Sequence, residues 1–250
     1  MIVLLAALAE EAAGLRRRMA LVPEAVASIG GPAYTGQYCG KPVALVVTGM
    51  GQQRAEEGIG AVLAQLPVTA VISIGYSGAL ERQLQVGDLV LASELIGLTV
   101  PGGKIEPTIY PADQELLRTA EETLQTAPLR VVSGATVTAS RIITTPAAKR
   151  DIGRQTGAVA VDMESYWVAR AVANRGIPFL AIRAISDTQE ESLSLLHEIL
   201  DEEGSPGARR LAAHLIRKPG SLIALARLAW NAGRARRSLT TGIVRTVAAL

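Results

Sequence analysis

The sequence predicts an α/β protein in which a mostly parallel β-sheet is covered by helices on both faces, followed by a basic helical C-terminal extension. Near-continuous apolar runs of strand length recur along the chain, and helical patterns separate them. The charge is segregated as well. From Pro206 onward there are eight Arg, one Lys and no acidic residue, +9, so residues 1–205 carry −7 and the net charge is only +2. This divides the chain into an acidic body, 1–205, and a basic arm, 206–250. With 250 residues, 49% hydrophobic, it can bury one large core or two small ones, which excludes a peptide hormone, a collagen-like fibre and a disordered tail. Only 3% of residues are aromatic, with a single Phe179, which argues against base stacking as the main binding device.

The elements follow in order. Ile2–Ala7 reads as a buried strand, and Glu10–Met19 as a helix with Arg16, Arg17 and Arg18 where its dipole favours cations. Val43–Thr48 is a strand ending in Gly49-Met50-Gly51; a helix spans Gln52–Leu66; the strand Val68–Ile74 ends in Gly75-Tyr76-Ser77-Gly78. Further strands are expected at Val86–Ala92, Leu129–Val137, Ala158–Val161 and Pro178–Ile185, and helices at Asp113–Thr126, Pro146–Gln155 and Met163–Arg175. Val100–Pro111, rich in Pro and Gly, is expected to be a loop. The apolar run Met1–Ala9 meets Glu10 and Glu11 with no basic flank, unlike a signal peptide, and no apolar run reaches roughly 18 residues, so a cytoplasmic protein is expected. Cys39 is the only cysteine and His197 and His214 the only histidines, so neither a disulfide nor a metal site is expected, and no cofactor is implied.

In parallel sheets, ligands bind beyond the carboxyl ends of the strands, where the polar and glycine residues of this chain collect. Glu11, Glu164 in Val161-Asp162-Met163-Glu164-Ser165, and Asp187 in Arg183-Ala184-Ile185-Ser186-Asp187 each follow a strand or open a helix. Carboxylates so placed can act as general base, hydroxyl acceptor and general acid; equally, Glu10 and Glu11 can favour a helix N-terminus, and Asp162 and Asp187 can be caps. The glycine turns suit either a ligand cradle or simple tight turns.

Taken together, Ala7-Leu8-Ala9-Glu10-Glu11, Thr48-Gly49-Met50-Gly51, Ile74–Leu80, Val86-Gly87-Asp88, Val161–Ser165 and Arg183–Asp187 resemble the motifs of the nucleoside phosphorylase/nucleosidase superfamily. Within it, the chain is most similar to methylthioadenosine/S-adenosylhomocysteine nucleosidases and hopanoid-associated phosphorylase-like proteins. The resemblance implies a three-layer α/β/α sandwich with a mixed, mostly parallel central sheet, and cleavage of the N-glycosidic bond of an adenine nucleoside. By motif, Glu11 matches the water-activating carboxylate, Glu164 with Met163 the grip on ribose hydroxyls, and Asp187 the acid that protonates purine N7. Gly51, Gly75, Ser77, Ser186 and Ile142 complete the implied substrate contacts. Hexameric phosphorylases carry an arginine where Ser73 stands, so hydrolysis is favoured over phosphorolysis, with Arg54 an alternative phosphate contact. Partial burial is expected to raise the Asp187 pKa.

In the arm, Leu225, Leu228, Ala232, Ala235 and Leu239 form a 3/4-spaced stripe, with Arg227, Arg234 and Arg237 on another face and Arg236 out of pattern. Two readings stand: an interfacial helix with Trp230 at a headgroup boundary, or a helix packed on the body or a partner. Gly204-Ser205-Pro206-Gly207, Leu215-Ile216-Arg217-Lys218-Pro219 and Ala235-Arg236-Arg237 resemble the hopanoid-associated extension, which implies adenosylhopane as substrate and peripheral membrane contact. Nucleic-acid binding is not expected, a homodimer or larger homo-oligomer is, and a nucleoside sensor or pure membrane-interaction protein are the non-enzymatic alternatives.

Overall fold

The computed structural model describes residues 1–23, 31–99, 103–195 and 221–250 of the chain. Its centre is four parallel strands. β1 (Ile2–Ala6) lies between β4 (Lys41–Val47) and β5 (Ala70–Ala79), and β10 (Phe179–Asp187) flanks β5 on the other side. These strands are apolar on both faces because both are covered. Ile2, Leu4 and Ala6, with Val43 and Leu45, face α1 (Ala9–Arg18), α3 (Gln114–Gln125) and the last helix, α6 (Ser221–Ala249). The alternate residues Val3 and Leu5, with Ala44 and Val46, face α2 (Gln52–Gln65) and α5 (Ser165–Ala173).

Beyond Ile74, the last residue of β5 paired with β1, β5 continues and takes β9 (Ala160–Asp162) as antiparallel neighbour at Gly78 and Ala79. β9 pairs β8 (Val131–Ala139), β8 pairs β6 (Leu89–Thr99), and β6 returns to β10, which closes five strands into a ring. Between the end of β1 and the start of β9, residues 75–77 of β5 have no strand partner on that edge. That gap is where the site lies. α4 (Pro146–Thr156) packs outside, with Ile152 against Leu80, Ile96 and Leu98.

Helix starts follow the local sequence. Asp113 caps α3 by accepting from the amides of Glu115 and Leu116 at 3.1 and 3.0 Å, and Thr145 caps α4 ahead of Pro146. Two expectations are corrected. Residues 104–111, expected as loop, form β7 (Lys104–Pro111), antiparallel to β6. Pro107 is tolerated because the ladder shifts between Ile96 and Leu98, and because β7 is an edge strand. In addition, β2 (Val22–Pro23) and β3 (Ala33–Tyr38) extend the sheet beyond β4, unanticipated. β3 and β4 are joined by Cys39-Gly40, both at positive φ (49° and 77°), which is the geometry a two-residue hairpin requires.

The last helix divides along its length. Ala235, Leu239, Ile243 and Val247 are fully buried in the core with α1 and α3. At Gly14 an added Cβ would stand 2.2 Å from Thr240 Oγ1, so α1 and α6 touch where only glycine fits. Leu222, Ile223 and Trp230, nearer the start, are 61%, 80% and 64% exposed. The arm's C-terminal half thus packs on the body, and of the predicted stripe only Ala235 and Leu239 are buried. The segments Gly204–Gly207 and Leu215–Pro219 lie outside the described residues, as do His197 and His214. Among the described residues, no helix is long and apolar enough to cross a membrane. Truncating Leu239 to Ala removes fully buried methyl groups; stability should fall by about 2–5 kcal/mol, read as a lower urea midpoint with an unchanged slope. A loss below about 0.5 kcal/mol would place the helix outside the cooperative core.

Candidate active site

The site is organised around a buried guanidinium. Period two turns Phe179, Ala181 and Arg183 of β10 toward α5, and Arg183 is only 1% exposed. Its Nε lies 2.7 Å from Asp162 Oδ2, and its Nη2 donates to Ser73 Oγ at 2.8 Å and to Ser165 Oγ at 2.6 Å. Asp162 also accepts from Thr138 Oγ1 at 2.6 Å and from the amides of Glu164 and Ser165 at 3.3 Å, where the chain enters α5. Asp162 is therefore an anchor for the neighbouring Glu164.

Glu11 is buried in the first turn of α1. Its Oε2 accepts from the amides of Ala7 and Leu8 at 3.0 and 2.8 Å, and its Oε1 accepts from the Tyr76 amide at 2.8 Å. The helix-start reading holds through Oε2, while Oε1 reaches across to β5. The Tyr76 amide is within the unpaired stretch of β5, so the carboxylate takes the place of a strand. Gly75 makes this possible: a Cβ there would sit 2.3 Å from Arg183 Nη1 and 2.8 Å from Glu11 Oε1. Burial pushes the Glu11 carboxyl up from its ordinary range, against the lowering effect of its amide donors and Arg183.

Glu164, also buried, accepts from the Gly51 amide at 2.8 Å through Oε1. Gly51 holds φ at +87°, a conformation that favours glycine, and stands at the start of α2. Burial raises the Glu164 carboxyl to about 7, opposed by Arg183.

Asp187 ends β10, buried. Its Oδ1 accepts from Ser186 Oγ at 2.7 Å, and its Oδ2 is paired with Lys149 Nζ of α4. A Cβ on Gly78 would lie 2.9 Å from Oδ2. Burial raises the Asp187 carboxyl, as expected from sequence, while Lys149 opposes the rise. Glu11 and Asp187 thus contact β5 at Gly75–Tyr76 and at Gly78, bracketing Ser77, whose buried Oγ has no hydrogen-bond partner. Ser186 Oγ lies 3.3 Å from the Ser77 carbonyl.

Glu11, Gly51, Gly75, Ser77, Glu164, Ser186 and Asp187 are therefore brought together around the ends of β1, β5 and β10. Met163 stands half-buried beside Glu164. Ile142 lies half-buried between β8 and α4, and neither a core cluster nor a hydrogen bond joins it to the carboxylates. Arg54 is exposed, its side chain over Gly49. Sequence reasoning assigned no role to Arg183 or Lys149. A lone charge inside the apolar run Phe179–Ile185 was a usable signal for Arg183; Lys149, among Arg150, Asp151 and Arg154, had none.

The raised Glu164 pKa has a thermodynamic consequence. The folded protein binds this proton more tightly than the unfolded chain, so the stabilisation is fully present below about pH 4.5 and is lost as pH rises through about 7. Glu164→Gln removes the dependence. The melting temperature of the wild type relative to that variant should fall between pH 5 and pH 7.5, about the range spanned by the two pKa values, and level off above it. A pH-independent difference in thermal melts would contradict the shift.

Among solved structures, the chain resembles methylthioadenosine/S-adenosylhomocysteine nucleosidase from Neisseria meningitidis in complex with methylthio-immucillin-A, with a TM-score of 0.79 at 21% identity over 100% of this chain and 99% of that one. The Streptococcus pneumoniae MTA/SAH nucleosidase in complex with 8-aminoadenine gives 0.75 at 22%, with the same coverage. Futalosine hydrolase of Helicobacter pylori gives 0.71 at 20%, over 86% of this chain and 97% of that one. At these identities the likeness is one of fold. The family model described as Phosphorylase superfamily matches residues 1–217, and on that match the chain belongs to the phosphorylase superfamily.

Proposed function

We propose that the protein is a nucleosidase that hydrolyses the N-glycosidic bond of an adenine nucleoside. The observation that carries this reading is the pair Glu11 and Asp187, two buried carboxylates bracketing one unpaired stretch of β5 with different partners. Three backbone amides and Arg183 favour the ionised form of Glu11, as a base needs, while burial raises the Asp187 carboxyl, as an acid needs, against the pull of its ammonium and hydroxyl partners. Cleaving the bond leaves positive charge on the ribosyl ring and negative charge on the departing purine. Asp187 protonates the purine at N7, Glu11 takes a proton from the attacking water, and Glu164 accepts from the ribose hydroxyls. The likeness to nucleosidases solved with methylthio-immucillin-A and with 8-aminoadenine supports the same choice.

Hydrolysis is favoured over phosphorolysis by Ser73 and Arg183. The arginine lies against Ser73, but Asp162 already neutralises it. Purified protein incubated with adenosine or methylthioadenosine should release adenine and free sugar with or without phosphate. Asp187→Asn should lower kcat/KM by about 10²–10⁴-fold. Sugar 1-phosphate as product would overturn hydrolysis, and full activity in the variant would remove Asp187 from the acid role.

The finer reading is that the nucleoside is lipid-linked, adenosylhopane giving adenine and ribosylhopane, with the protein peripheral at the inner face of the membrane. It is supported by the resemblance of the extension and by exposed Leu222, Ile223 and Trp230 on the helix that carries Arg227, Arg234 and Arg237. Deleting the extension would remove Leu239 and Ile243 from the core, so point changes are the cleaner test. Replacing Leu222, Ile223 and Trp230 together by Ser should abolish sedimentation with phosphatidylglycerol vesicles and spare turnover of soluble adenosine. Unchanged sedimentation would contradict the membrane contact.

A further inference from the structure

Lys149 has no part in the reaction as outlined, although its side chain is fully buried. All three of its ammonium hydrogens are placed. One is on Asp187 Oδ2, and the others are on the carbonyls of Thr188 at 2.7 Å and Glu191 at 3.0 Å, in the connection that follows the acid. An ammonium only donates, so the oxygen facing it cannot also hold a proton toward it. The other oxygen, Oδ1, faces the Ser186 hydroxyl, which both donates and accepts. When Asp187 is ionised, Ser186 donates to Oδ1. When Oδ1 carries a proton, Ser186 can accept it and turn its own hydrogen to the Ser77 carbonyl, 3.3 Å away.

We propose that Lys149 is a positioning residue for proton transfer: it confines the transferable proton of Asp187 to Oδ1 and stabilises the carboxylate left behind. This rests on Asp187 acting as the acid in the nucleosidase reading. In the step, the O–H bond at Oδ1 breaks and an N–H bond forms at N7. The electron pair of the glycosidic bond goes to the purine, and Asp187 passes from neutral to −1 beside a lysine that stays +1. Water adds to the sugar and gives a proton to Glu11; solvent restores the proton on Asp187. Burial keeps the acid protonated, and Lys149 lets it give the proton up. The charged groups facing Asp187 are Lys149 from α4 and Glu191 from the following connection, while β5 presents Gly78. Glu191 is itself held by Arg227 at 2.5 Å and by Asn231, both on α6.

The test compares wild type, Lys149→Met and Lys149→Arg on adenosine and on 4-nitrophenyl β-D-ribofuranoside, whose leaving group departs without a proton. Lys149→Met should lose on the order of 10–100-fold in kcat on adenosine. It should hold within about twofold on the nitrophenyl riboside, and Lys149→Arg should recover most of the loss. Carboxyl NMR of the free proteins should show Asp187 titrating higher in Lys149→Met than in wild type. Should that variant not fold, Lys149→Gln, which keeps donors without charge, serves in the same comparison. Equal losses on both substrates, or an unmoved Asp187 titration, would overturn the proposal. A wild type that cleaves the nitrophenyl riboside, with Asp187→Asn equal to it on adenosine, would instead overturn the acid role of Asp187, and this proposal with it.

Discussion

The ion pair between Arg183 and Asp162 is the constraint on which the site depends. Both charges are out of water, so each is tolerable only while the other and its hydrogen-bond partners stay in place. Those partners come from four directions: Ser73 on β5, Thr138 on β8, Ser165 opening α5, and the amides that follow β9. A single guanidinium thereby fixes how the closed ring of strands meets the parallel centre of the sheet. Its field also reaches Glu11 and Glu164, drawing both toward ionisation.

Each of the three carboxylates is set by opposed influences, of which burial is the largest. Burial disfavours charge at all of them, and each has a distinct counterweight: amides and Arg183 for Glu11, Arg183 and one amide for Glu164, an ammonium and a hydroxyl for Asp187. In the proposed reaction the amide-held carboxyl accepts a proton and the one beside Lys149 releases one, a few residues apart along β5.

The parallel centre was legible because its strands are buried on both faces and thus apolar throughout, and the helices α3 and α4 because Asp113 and Thr145-Pro146 mark their starts. β7 was illegible because Pro107 and Pro111 are turn residues in most contexts, and only the partner strand shows that they fall on an edge. The β3–β4 hairpin was missed because Cys39-Gly40 is not among the pairs that announce such turns. The carboxylates could be found one by one, since each follows a strand. Their partners could not. Lys149 meets Asp187 across 38 positions, and no local pattern encodes that distance. Likewise Arg236, which looked out of place on a helix stripe, lies near enough to Tyr76 for its charge to act on the phenol.

The contact between Gly14 and Thr240 has a temporal consequence. The face of β5, β6 and β10 that α1 and α3 cover incompletely is finished by Leu239, Ile243 and Val247. Until those residues have been synthesised and have left the ribosome, the nascent chain exposes that apolar face, with the strands it belongs to already available for pairing. Cover of this face is thus complete only once the last helix docks.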